Sequence, residues 1–229
     1  MTASTPRREA IAATAARLFA ERGFHAVSIN DIGRAMGTSG PALYRHFPSK
    51  DALLGQMLTD ISDALLAGAQ ARSGGLDPTE PIEPTADGAS ADNGGAGRTP
   101  REALRSLVRW HVDFALARPD LIVVQNRELS SLATVDSARV RGAQRSYVEL
   151  WVSATRAALG GDLEVRRVRS AVQAVFGMLN STPHSTHVPT MQMADLLEAM
   201  AMASLDALAD KARPPAVSAA DSAGGPAGP

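Results

Sequence analysis

The chain has 229 residues, 45% of them hydrophobic and 21% charged, with a formal net charge of -1 and no cysteine. That is enough for a sizeable core in one larger or two small domains, and it excludes disulfides and thiolate metal sites outright. No apolar run approaches the ~18 residues needed to span a bilayer and residues 1–6 lack a secretory pattern, so no membrane partner is expected and the cytoplasm is the expected compartment.

The first helix is signalled by Thr5 as N-cap and Pro6 at the first helical position. It continues through Ile11, Ala15, Leu18, Phe19 and Arg22 and closes at Gly23. Ser28 and Asp31, three apart, predict a capping box on a short second helix running to about Met36. Residues 37–41 interrupt it, and a brief third helix is expected from Pro41 to His46, ending before Phe47 and Pro48. Ser49 then caps a longer fourth helix carrying Leu53, Leu54, Met57, Ile61, Leu65 and Leu66.

Residues 73–99 are rich in Gly and Pro, poor in large apolar side chains and acidic, so a disordered loop is expected there. Thr99 and Glu102 predict another capping box, opening a helix through Leu104, Leu107, Val108, His111 and Phe114 that stops near Pro119. A further helix is expected from Pro119 to about Leu132, and a long one from Thr134 to Leu159. Asp162 is expected to cap the next, which carries Val165, Val168, Val172, Val175, Phe176 and Leu179. The last runs from about Thr190 to Ala209. No segment alternates with β-branched enrichment, so the fold class is all-α. The expected domains are residues 1–49, residues 50–212 with the loop inside them, and a disordered tail at 213–229.

Two short helices joined by a glycine-containing turn, inside a three-helix N-terminal unit, form the pattern of a DNA-reading helix-turn-helix. The second of the pair must be short and compact so that its N-terminal end reaches base edges in the major groove. Thr38, Ser39, Gly40, Pro41 and Ala42 are all compact, and Tyr44, Arg45 and His46 follow with phosphate- or base-reaching side chains. Lys50, opening the next helix, is expected as a phosphate clamp. Leu43 and Phe47, four apart, face inward against Ile32 and Phe19. Charge alone would not carry this reading. The first 60 residues hold Arg7, Arg8, Arg17, Arg22, Arg34, Arg45 and Lys50 against Glu9, Glu21, Asp31, Asp51 and Asp60, an excess near +2. Arg7 and Arg8 read equally as a phosphate-reaching arm or a solvated end, and Ser28 as a cap first and a phosphate contact second.

Over Arg8 to Leu54 the segments Ala20–Phe24, Val27–Ile32 and Ala42–Lys50 resemble the DNA-binding domain of the tetracycline-repressor family. The resemblance implies a homodimer, binding to an operator in the free state, and release when a small ligand enters the C-terminal helical domain. It also implies that Ser28, Ser39, Pro41, Tyr44, His46 and Lys50 occupy DNA-facing positions. Two departures stand out: Gly33 where alanine is usual, and Gly40 where a long polar side chain is common, which removes one potential base contact.

In the C-terminal half, Gln125, Asn126, Arg127, Tyr147, Trp151 and Asn180 interrupt apolar faces, the usual makeup of a ligand cavity. Any single one of Trp110, Tyr147 and Trp151 reads more readily as core packing. Residues 177–185 are similar to family members tied to fatty-acid, branched-chain or sterol catabolism, some of which sense acyl-CoA thioesters. An arginine such as Arg127 or Arg141 would then meet a coenzyme phosphate. Ala171, Val172, Val175 and Phe176, with Ala199, Ala203 and Leu205, are expected to pack two subunits into a four-helix bundle.

The function expected is therefore a ligand-responsive repressor, dimeric on a pseudo-palindromic operator. No catalytic residue, cofactor or metal is expected. A constitutive DNA-binding protein is one alternative. A metal-dependent helical enzyme is the other, through His184 and His187 with Asp195 beyond, but Pro183 and Pro189 bracket the histidines in a loop poorly suited to fixed ligand geometry.

Overall fold

The computed structural model describes residues 6–73, 98–182 and 187–210. The Thr5 cap, His184, the expected tail and all of the expected acidic loop except Ser73, Arg98 and Thr99 lie outside the described residues. Among the described residues every regular element is helical, joined by turns and one 3₁₀ turn.

Helix α1 spans Pro6–Arg22 and buries Ile11, Ala15, Leu18 and Phe19. Helix α2, Ile29–Ala35, opens with the expected box: Ser28 Oγ accepts from Asp31 N, and Asp31 Oδ2 accepts from Ser28 N at 2.9 Å. Helix α3 is only Gly40–Leu43, shorter than expected, because the chain leaves helical bonding at Tyr44 and closes by His46 N and Phe47 N donating to Leu43 O. Helix α4, Lys50–Gln70, starts at Ser49, whose side chain accepts from Ala52 N. It buries residues on nearly every side, as a helix packed against several neighbours must.

The second half comprises α5 (Pro100–Ala117), α6 (Pro119–Glu128), α7 (Thr134–Leu159), α8 (Val165–Leu179) and α9 (Thr190–Asp210), with a 3₁₀ turn at Leu129–Ser131. The Thr99–Glu102 box forms as expected. Asp162 does not cap α8: the N-cap is Glu164, with no side-chain bond, two residues further on. Helix α4 packs along α7, and α5 lies between α7 and α9, while α6 lies on α1. One hydrophobic core runs without interruption from Ile11 to Leu208. Across α5 and α9, Arg101 forms a bidentate pair with Asp206 and Arg109 bonds Asp195 at 2.9 Å. These pairs are exposed and contribute little beyond fixing register.

Three residues of the expected subunit face are turned away from the protomer surface. Val172, Val175 and Leu205 are buried inside the protomer, since their spacing turns them toward the core. The outward face of α8 and α9 instead carries Ala174, Gly177, Leu196, Ala199, Met200, Ala203 and Ala207.

Candidate nucleic-acid interface and effector cluster

In the N-terminal unit, Leu43 and Phe47 sit at 1% and 3% exposure, holding α3 against Ile32 and Phe19. The opposite side of the same short segment is thereby turned outward: Ser39, Pro41, Tyr44 and Arg45 are exposed, with Tyr44 at 52%. Thr38 and His46 flank it half-buried. Neither Tyr44 nor Arg45 has a side-chain hydrogen bond or ion pair among the described residues. Ser28 is exposed, but its hydroxyl is engaged with Asp31, whose carboxyl is held below its ordinary value by that bond and by the Ser28 N–H.

Gly40 is not an outward position. It is buried, and a Cβ there would meet Asn30 Oδ1 at 1.9 Å. A Cβ on Gly33 would meet Gly40 N at 2.9 Å. The two departures from the family pattern therefore meet at one place: the absence of a Cβ at Gly33 lets α2 approach the Thr38–Gly40 backbone, and a side chain at 40 would be directed at the side chain of Asn30.

Lys50 also differs from expectation. Its ammonium donates to Phe24 O at 2.7 Å and Val27 O at 2.8 Å and lies 4.2 Å from the Phe24 ring centroid. Two of its three donors are thus spent inside the protein, tying α4 to the α1–α2 connection. Arg8 behaves similarly, donating to His46 O at 2.5 Å over the Phe47 ring. It is neither a free arm nor a solvated end, while Arg7 is exposed.

The six candidate ligand residues divide. Asn126 and Arg127 are exposed on α6, and Arg127 donates to Ala20 O at 3.2 Å. Gln125, half-buried on the same helix, makes no side-chain hydrogen bond among the described residues. Tyr147, Trp151 and Asn180 do come together, around His111 of α5. His111 Nδ1 lies 2.9 Å from Tyr147 Oη, and Nε2 lies 3.0 Å from Asn180 Oδ1. The Phe176 ring lies 5.1 Å from His111 and 5.5 Å from Tyr147, 19° from parallel to each. Trp151 meets Phe176 edge-on at 4.8 Å. Burial pushes the His111 imidazole down to about 4, so it is neutral near pH 7. Burial likewise raises the Tyr147 phenol. The sequence reading missed His111 and Phe176 as site residues. The available signal was a lone histidine within the apolar face Leu104–Leu107–Val108.

A family model described as "Bacterial regulatory proteins, tetR family" matches residues 11–57, and one described as "Tetracyclin repressor-like, C-terminal domain" matches residues 97–184. The chain belongs to the TetR family. TetR-family proteins are DNA-binding regulators rather than enzymes, which sets aside the metal-dependent alternative. The chain is similar to the "HTH-type transcriptional repressor KstR2" of Rhodococcus jostii (strain RHA1), 41% identical over 59 residues, 26% of this chain and 29% of that one. It therefore matches under a third of the length of that curated relative. Over the whole fold it is similar to a TetR-family regulator from Bordetella parapertussis 12822, with a TM-score of 0.68, 24% identity, and 90% and 96% of the two chains covered. It is also similar to AibR, solved in complex with isovaleryl coenzyme A and operator DNA, with a TM-score of 0.62, 21% identity, and 85% and 97% covered. No helix among the described residues is long and apolar enough to cross a membrane.

Proposed function

We propose that this protein is a homodimeric transcriptional repressor that binds a pseudo-palindromic operator and is released by a small, largely apolar effector. Residues 1–49 form the reading head and residues 50–212 the effector and dimer half. The observation that carries the reading is the two-sidedness of the α3 segment: Leu43 and Phe47 buried, Ser39, Pro41, Tyr44 and Arg45 free on the other side. A short segment so anchored fits a major groove, with Ser39, Pro41 and Tyr44 at bases or phosphates and Arg45 and His46 on the backbone.

Pairing of subunits is supported by the outward stripe on α9. Leu196 and Met200 are 49% and 44% exposed, and the alanines around them would let a second helix pair approach closely. The effector is assigned to the cluster around His111, where polar side chains interrupt a buried apolar core. An acyl-CoA thioester is the effector class the sequence suggests. On that reading Arg141, exposed on α7, is the freer of the two arginines, since Arg127 is engaged with Ala20.

A mobility-shift assay with DNA flanking the protein's own gene, at low salt, tests the reading. A shift that Tyr44→Ala weakens and that competitor DNA of unrelated sequence does not remove is the expected result. No shift, or a Tyr44→Ala variant identical to the parent, would overturn it. Calorimetry with several acyl-CoAs tests the thioester class, and absence of heat in all of them would remove it.

A further inference from the structure

We propose that the cluster of His111, Tyr147, Trp151, Phe176 and Asn180 receives an uncharged, planar ring compound with acceptor oxygens at two edges, a quinone or aromatic diketone, in the position now held by the Phe176 ring. The inference rests on the reading of this chain as ligand-responsive, and gives the same cluster a ligand chemistry different from the thioester that the sequence suggests.

The hydrogen bonds leave donors over. When His111 Nε2–H donates to Asn180 Oδ1, Nδ1 accepts from the Tyr147 hydroxyl. That arrangement uses the acceptor of Asn180 and leaves its two amide N–H groups without a partner among the described residues. The indole N–H of Trp151, whose residue is 0% exposed, also has no hydrogen-bond partner. It lies beside the Tyr147 oxygen without reaching bonding geometry. A buried donor left unpaired is rare and unfavourable, so the Trp151 N–H calls for an acceptor, and the half-buried Asn180 amide has donors to offer a second. They sit at opposite ends of the His111 ring, Trp151 on the Tyr147 side and Asn180 on the Nε2 side, so one oxygen cannot serve both.

The shape is set by the stack. His111 and Tyr147 lie within 29° of parallel and Phe176 lies flat on both. Phe176 is the half-buried ring of the stack and stands one turn before Asn180, the C-cap of α8. Rotating its ring aside exposes a flat surface that a second planar ring covers with the same geometry. Charge is disfavoured by the surroundings: among the described residues these five make no ion pair and no hydrogen bond to a charged side chain, and Arg72 acts on Tyr147 only through its charge, so a buried carboxylate or phosphate would lack a hydrogen-bonded counter-charge.

The test is calorimetric titration of the full chain, without DNA, using 1,4-naphthoquinone, 1-tetralone, naphthalene and 1-naphthoate. With no cysteine in the chain, the quinone has no thiol to alkylate. Affinity is expected to fall roughly tenfold for each acceptor removed along the first three, with 1-naphthoate weakest. Phe176→Ala should tighten the quinone severalfold, and Asn180→Leu should abolish the preference for quinone over tetralone while the circular dichroism of both variants stays that of the parent. A naphthoate that binds as well as the quinone, an Asn180→Leu variant with the parent's preference, or no heat from the quinone with both the parent and Phe176→Ala overturns the proposal. A mobility shift run in parallel separates this from the broader reading, because DNA binding that persists without quinone binding removes only the ligand assignment.

Discussion

The Glu128 carboxylate accepts the backbone N–H of Phe24 at 3.1 Å, joining the end of α6 to the turn after α1 across 104 residues of sequence. Glu128 is only 5% exposed and also accepts from Ser131 Oγ at 3.2 Å. The carbonyl of the same Phe24 is held by Lys50. This one residue of the reading head is thus gripped by α6 through its N–H and by α4 through its oxygen.

Glu128→Leu should therefore destabilise the protein by about 2 kcal/mol, the usual range for leaving a buried backbone donor unmet. Glu128→Gln keeps an acceptor oxygen and should lose less. Chemical denaturation of the two variants measures the difference. Equal losses would mean that the Phe24 bond contributes nothing.

Tyr44→Ala and Lys50→Ala should separate cleanly. Tyr44 is outward, so its removal should weaken operator binding about tenfold or more at unchanged melting temperature. Lys50 bonds two carbonyls, so its removal should lower the melting temperature, with any loss of DNA binding following from a loosened head. Thermal melts and mobility shifts on the same preparations check both outcomes.

Replacing Leu196 or Met200 by Glu should give monomers in sedimentation at micromolar concentration without loss of helix signal. Both side chains are outward, so the protomer core is untouched, whereas a paired surface would have to bury a charge. A variant that stays dimeric would place the interface elsewhere.

His111 predicts an acid response. Its folded-state value of about 4 lies below the ordinary 6.5, so the unfolded chain takes up a proton first as pH falls. The stability associated with neutral His111 is complete above about pH 6.5 and is lost progressively between there and about pH 4. The total is on the order of 3 kcal/mol. Denaturation midpoints across that window should fall more steeply for the parent than for His111→Gln.

Most of the helices were legible because their ends carry local chemistry. The Ser28–Asp31 and Thr99–Glu102 boxes, Ser49, and the α7 limits at Thr134 and Leu159 each depend on residues within a few positions. What escaped depends on distant partners. Nothing near Lys50 says that it bonds Phe24 and Val27, and nothing near Gly40 says that Asn30 fills its space. His111 and Phe176 stand on apolar faces of two different helices, so periodicity assigns one to the core and the other to a subunit contact. Only packing places them against Tyr147. Asn126 and Arg127 stand apart from that cluster for the converse reason: polar residues on α6 follow an exposed side of that helix.

Because α4 and α6 meet the reading head at the same residue, Phe24, they are not independent channels. Any displacement of one helix must be absorbed by a residue the other also restrains, so lesions at Lys50 and Glu128 should be strongly non-additive when combined. Neither linkage can then drift in evolution without altering the background against which substitutions in the other are selected.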